Sequence, residues 1–258
     1  MNVDMVFAVI LLKDPKSVSL PRMAEFFRTH WPDGPAIAEE DSEPIPNPEG
    51  ALMYPFSVGD APAFVIVEDD PIPTEDLELP VLTAWYWPEA AQAVEEHRAF
   101  AMVALPTPMS DSLEKTALVT ELAASLAKTS DAVAVLWSKA NLIHEPEAFF
   151  KSAQHIGPDV YPIELWGGFH AEPEPDDSIT FFTRGMLNFG LPEIEVYNSH
   201  RDLQFIYERV FNIAHFLFER GPVIRDGETV GTNDEERFLV TIAPSRFDAR
   251  IKTMQIEM

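Results

Sequence analysis

Apolar residues run unbroken from Met5 to Leu12, a length and composition that predict a buried core strand. Lys13-Asp14-Pro15-Lys16 turns the chain, and Pro21 suits the first turn of a helix, where its missing N–H costs nothing. That helix is expected to run to about Thr29 with Met23, Phe26 and Phe27 toward the core, until Trp31-Pro32-Asp33-Gly34-Pro35 stops it. Residues 36–50 are Pro-rich and acidic, the composition of an exposed loop. Ala51 to Ser57 and Ala63 to Val67 read as strands joined through Val58-Gly59-Asp60. Residues 68–80 are again acidic and Pro-punctuated. Pro88-Glu89 opens a short helix to His97, and Phe100 to Leu105 is a further strand. The succession β-α-β-β-α-β is that of a ferredoxin-like half.

A second half restarts at Ser110-Asp111, with Glu114 placed three residues after Asp111 as in a capping box. Leu118, Leu122 and Leu126 mark one face of a helix ending near Lys128. Asp131 to Trp137 is an apolar strand, and Glu147 to His155 a short helix. Tyr161 to His170 and Ser178 to Arg184 form a hairpin around the acidic loop Glu172 to Asp177. Glu193 to Tyr197 alternates glutamate with apolar residues, the pattern of a half-buried strand. The longest helix runs from Asp202 to Arg220, with Leu203, Ile206, Val210, Ile213 and Leu217 as its apolar stripe, and Gly221-Pro222 ends it. Asp226-Gly227 is a turn within Val223 to Val230, and Arg237 to Ala243 is the final strand. The expected class is α+β, with mainly antiparallel sheets and packed helices. The pattern allows two ferredoxin-like halves, residues 1–108 and 109–258, packed as one unit.

Composition narrows the chemistry. The 258 residues are 46% hydrophobic, enough for a proper core, and include no cysteine. Disulfides, thiolate nucleophiles and thiolate metal sites are thereby excluded. No basic residue precedes the first apolar run, Asp4 stands where a signal peptide would carry positive charge, and the run is too short to span a bilayer. The expected location is the cytoplasm.

Charge changes the picture more. Forty-three acidic residues face 18 basic ones, a net charge of −25. Between Arg28 and Arg98 there is no Lys or Arg, while sixteen Asp and Glu occur. Such a field repels nucleic acid and anionic membranes and attracts basic proteins. An acidic surface that serves solubility has the same composition.

No GxxxxGK[ST], helix-opening GxGxxG, G-x-S-x-G or H-E-x-x-H occurs. The seven histidines include no i, i+4 pair, so neither a metal site nor a cofactor is expected. His215, among phenylalanines, reads as a boundary residue. Gly167-Gly168 reads as a bulge or close backbone packing. Strand alternation puts Glu193 and Glu195 on one face, where they either sit close enough to raise one another's pKa or, the favoured reading, form the solvated polar face of an edge strand. Arg184, before Gly185, is either an anchor for an anion or an ion-pair partner of Glu193 or Glu195.

The spacing LW-x-x-F from Leu165, then TRG-x-x-x-FG-x-PE-x-E from Thr183, then DGETVG at Asp226 to Gly231, resembles a bacterial family catalogued as domain of unknown function 4261. The resemblance is strongest over residues 160–243. Thr183, Arg184, Gly185, Phe189, Gly190, Glu193 and Glu195 fall on the motif. It implies a bacterial origin and supplies no catalytic residue, cofactor or substrate.

Two functions remain in view. The first is a non-enzymatic acidic protein, monomer or homodimer, that binds a basic partner protein, as an immunity or adaptor protein of a bacterial effector system does. The second is an enzyme or small-molecule sensor with a pocket near Trp166, Thr183, Arg184, Glu193 and Glu195. A DNA mimic ranks below both, because prolines break the acidic runs.

Overall fold

The first apolar run forms β1 (Val6–Leu12), buried along its length except at Phe7, as a sequence without alternation requires. The computed structural model describes residues 6–39, 44–47, 50–106, 112–157, 160–233 and 235–258; Asp4, Met5, Ser110 and Asp111 lie outside the described residues. Two compact units divide between Leu165 and Trp166.

In the first unit β1 is followed by α1 (Leu20–His30), β2 (Ile37–Glu39), β3 (Ile45–Pro46), β4 (Leu52–Val58) and β5 (Ala61–Glu68). Then come α2 (Thr74–Thr83), α3 (Ala90–Glu95), β6 (Ala99–Leu105) and α4 (Ser112–Lys128). β7 (Ala132–Trp137), β8 (Leu142–His144) and α5 (Pro146–Ala153) follow, and α6 (Ile163–Trp166) lies at the boundary. The sheet order is β2-β4-β5-β6-β1-β7-β8, with β3 on β4, and every pairing is antiparallel. Ile10 of β1 faces Ala101 of β6 on one side and Val135 of β7 on the other. A boundary at 108/109 would therefore cut through one sheet, which is why the compact unit runs on to Leu165. The order also departs from the split arrangement of a ferredoxin-like half, because β6 inserts between β1 and β5.

Val9 and Leu11 pack with Leu77, Trp87 and Val94 from the α2–α3 region. Ala8, Ile10 and Leu12 on the alternate face are equally buried, and α4 packs on β1. The expected stripe of α4 holds, with Leu118, Leu122 and Leu126 all buried. Two segments expected as loops carry structure. Residues 36–50 contribute the edge strands β2 and β3, and α2 runs through 74–83 with Pro80 inside it. Burial of Leu77 and Pro80 against the core, with Glu75 and Asp76 at the positive end of the helix, offsets the hydrogen bond that proline removes.

The second unit contains β9 (Gly168–Pro173), β10 (Ile179–Arg184), β11 (Ile194–Ser199), α7 (Leu203–Arg220), β12 (Thr229–Val230), β13 (Phe238–Pro244) and β14 (Lys252–Ile256). Its sheet order is β12-β13-β14-β11-β10-β9. Arg237 to Ala243 is thus not the final strand. β14 follows it and fills the middle of the sheet, antiparallel to β13 and parallel to β11. The expected strand from Tyr161 begins only at Gly168, since residues 163–166 are helical. A Cβ on Gly168 would overlap the His170 ring, so a side chain packs there instead of the bulge or close backbone packing expected for this glycine.

Asp202 caps α7, its Oδ1 accepting from the backbone N–H of Gln204 at 2.9 Å. Ile206, Val210, Ile213 and Leu217 are buried as the stripe predicts, whereas Leu203 at the first turn is exposed. α7 packs on β10, and Tyr207 meets Phe169 and Phe181 edge-on. Among the described residues no helix is long and apolar enough to cross a membrane.

Candidate functional site

Glu193 enters β11 from a turn that needs left-handed glycines at both ends, Gly185 with φ 106° and Gly190 with φ 70°. Its carboxylate holds that turn. Oε1 accepts from the backbone N–H groups of Gly185 at 2.8 Å and Leu187 at 3.2 Å, and Oε2 accepts from Thr183 Oγ1 at 2.8 Å. Thr183 Oγ1 in turn accepts from Ile194 N–H at 2.8 Å. Both residues are buried. Burial pushes the Glu193 carboxyl above its ordinary range, opposed by these donors and by the charge of Arg184. Burial, rather than a neighbouring carboxylate, is the cause.

Glu195 lies on the same face and serves different partners. Its Oε1 accepts from Ser245 Oγ at 2.5 Å, and its Oε2 from Thr253 Oγ1 at 2.6 Å and from the Tyr197 hydroxyl. The Tyr197 oxygen also accepts from Arg246 N–H at 3.0 Å, while Arg246 Nη1 reaches Glu174 Oε1 at 2.6 Å. Carboxylates on β11 and at the β9–β10 turn thereby tie down residues 245–250. Burial, followed by the hydrogen bond to Glu195, pushes the Tyr197 phenol up to about 12. Tyr197→Phe is expected to cost about 1 kcal/mol in urea unfolding and to abolish a phenolate transition near pH 12.

Arg184 makes neither of the ion pairs open to it in the sequence. Its exposed guanidinium stands over the rings of Phe182 and Phe247, 5.2 and 5.6 Å from their centroids. Trp166 is fully buried and stacks on Phe189 with centroids 5.6 Å apart. The structure thus brings Thr183 together with Glu193, and places Trp166, Arg184 and Glu195 in three other environments. Oxygens engaged by internal donors are poor proton acceptors for a substrate, and an indole inside an aromatic cluster offers no face to a ligand. Among the described residues no cluster of His, Asp and Glu is placed to hold a metal ion.

Exposed chemistry concentrates elsewhere, in the first unit. Leu79 and Leu82 on α2, then Trp85 just beyond it, follow one another at a spacing of three and are 54%, 82% and 64% exposed. Tyr86 joins Trp85 edge-on, its hydroxyl donating to the Ile143 carbonyl at 2.8 Å. Glu75, Asp76, Glu78 and Glu89 around this ridge are exposed, and no Lys or Arg occurs within residues 29–97. The sequence held a signal for it. LELPVLTAWYW contains more apolar residues than the buried set of Leu77, Pro80, Ala84 and Trp87 requires.

A groove of about 610 Å³ in the second unit runs between α7, at Arg209, Ile213 and Phe216, and the segment 223–232. That segment carries DGETVG, whose parts are engaged within the fold. Asp226 Oδ1 accepts from Ile242 N–H at 2.8 Å, and a Cβ on Gly231 would lie 2.2 Å from the Glu236 carbonyl oxygen. Glu236 pairs with Arg209 at 2.6 Å, which holds its carboxyl down at about 2.

No curated protein and no solved structure matches the chain. Residues 182–257, a span that begins after Trp166 and takes in Thr183, Arg184, Glu193, Glu195 and all of β14, match the model of the family described as Domain of unknown function (DUF4261).

Proposed function

We propose that this protein is a non-enzymatic, acidic interaction protein that docks a basic partner protein, the role an immunity or adaptor protein plays. The carrying observation is the ridge of Leu79, Leu82, Trp85 and Tyr86, exposed within a stretch free of Lys and Arg and bordered by carboxylates. Isolated exposed leucines are ordinary, but a Trp and a Tyr beside two exposed leucines form the kind of anchor that carries binding energy. Surrounding carboxylates favour a partner whose apolar patch is framed by Lys and Arg, and long-range attraction would speed the encounter. The engagement of Glu193 and Glu195 inside the fold weighs in the same direction, since it leaves the enzyme reading without its acid–base pair.

The test is capture from lysate of the source organism by the immobilised protein, at about 50 mM and about 500 mM salt, with captured proteins identified by mass. A protein of high isoelectric point should be retained at low salt, released at high salt, and lost by Leu82→Asp with Trp85→Ala. These exposed positions should leave thermal stability within about 0.5 kcal/mol. Retention that ignores both salt and the double variant, or no basic protein at all, defeats the proposal.

A further inference from the structure

Leu79 and Leu82 stand on the solvent side of α2, opposite the buried Leu77 and Pro80, and Trp85 prolongs their line. The three step by three along the chain, a single row about two helical turns long. Beneath the row, Leu77, Ala84 and Trp87 belong to the core, so the ridge is rigid before any partner arrives and little ordering is lost on contact. Carboxylates bracket it in the chain. Glu75, Asp76 and Glu78 precede or flank Leu79, Glu89 follows Tyr86, and all four are exposed.

Three kinds of surface meet such a row, and the surroundings separate them. A strand would pair with the nearest sheet edge, β8, which packs on α2. The carbonyl of Ile143, in the middle of β8, already accepts from the Tyr86 hydroxyl at 2.8 Å, and all three residues of that strand are buried. The edge beside the ridge is therefore closed to strand addition. A second copy of the chain would set these carboxylates against their own kind, with no Lys or Arg in residues 29–97 to neutralise them. A helix has neither problem. A row stepping by three seats in the furrow between rows stepping by four on another helix, with the axes about 20° apart.

We propose that the basic partner presents an amphipathic helix to this ridge, its apolar side chains packed over Leu79, Leu82 and Trp85. Lys or Arg beyond both ends of that apolar stretch would face Glu75, Asp76 and Glu78 on one side and Glu89 on the other. The inference rests on the docking reading above and adds to it the form of the partner's recognition element.

Trp85 reports on the ridge by itself, because the other four of the chain's five tryptophans, Trp31, Trp87, Trp137 and Trp166, are buried. The probe is a synthetic peptide of about 15 residues without aromatic side chains, with leucines at i, i+4 and i+7, lysines at both ends and a lactam bridge that holds it helical. It is titrated into the full chain while tryptophan emission and acrylamide quenching are followed. At about 50 mM salt it should bind with a Kd on the order of 10 μM, shift the emission to the blue and shield Trp85 about threefold from the quencher. Binding should weaken about tenfold at about 300 mM salt. Leu82→Asp should weaken it at least about tenfold, and Trp85→Phe should remove the spectral change. A strand-forming peptide of the same composition, with leucine and lysine alternating, should bind about tenfold more weakly. Equal, salt-sensitive shielding by the strand-forming peptide overturns the helix and leaves the docking reading standing. Silence at Trp85 from both basic peptides also overturns the helix. Equal shielding by a helical peptide with glutamate in place of lysine overturns the helix and the docking reading together.

Discussion

Replacing Glu193 with alanine is expected to destabilise the second unit by about 4 kcal/mol, because it strands the Thr183 hydroxyl and the Gly185 and Leu187 amides at once. Each orphaned donor costs about 1–3 kcal/mol, reduced where water can reach the turn. Glu193→Gln keeps one oxygen for the amides and should cost about half as much. Thr183→Val removes one donor and the acceptor of Ile194 N–H, and its effect should not add to that of Glu193→Ala because the two share a hydrogen bond. Urea midpoints of the two single variants and the double variant check this. Were Glu193→Ala as stable as the parent, the carboxylate would be free for chemistry and the structural account of this motif would fail.

The second large effect has the opposite sign. Glu121→Gln should leave stability unchanged near pH 4.5 and raise it progressively above, by at most about 3 kcal/mol once pH exceeds 7. The sign follows from proton binding. Burial raises the folded-state pKa from 4.5 to about 7, so between those values the folded form holds a proton that the unfolded chain has released. Stability from this group is therefore present at low pH and lost as pH rises through about 7. His144 acts the other way. Burial lowers its pKa to about 4, so below its ordinary 6.5 the unfolded chain takes up a proton that the folded one resists. Acid thus destabilises through His144 while relieving Glu121, and only the difference between variant and parent at each pH isolates the glutamate. A difference that does not vary with pH would mean that Glu121 is already solvated in the folded protein.

Elements whose period and packing agree were legible in the chain. α7 is the clearest case: Asp202 caps it, the stripe from Ile206 to Leu217 is buried, and Gly221 ends it, all local facts. Non-local pairing was not legible. β7 lies beside β1 although about 120 residues separate them in sequence, and no local pattern announces such a pairing. β14 reads as a polar tail, Lys-Thr-Met-Gln-Ile, because only Met254 and Ile256 are apolar, although Thr253, Met254 and Ile256 are all buried. α2 was hidden by its prolines and acids. At the candidate motif, alternation placed Glu193 and Glu195 on one face, but the solvated edge strand expected there is an inner strand between β14 and β10 on which both are buried. Ser245 and Thr253, the donors that occupy Glu195, lie 50 and 58 residues away and could not be seen.

The central position of β14 bears on how the second unit is made. β12 and β13 join β11, β10 and β9 only through this strand, which is the last of the six to leave the ribosome. Until residue 256 has emerged, both halves of that sheet present open edges, with Ile194 and Ile242 lacking their shared neighbour Met254. Assembly of this unit therefore waits for Lys252 to Ile256, and a nascent chain stalled before Lys252 would be a natural client for a chaperone.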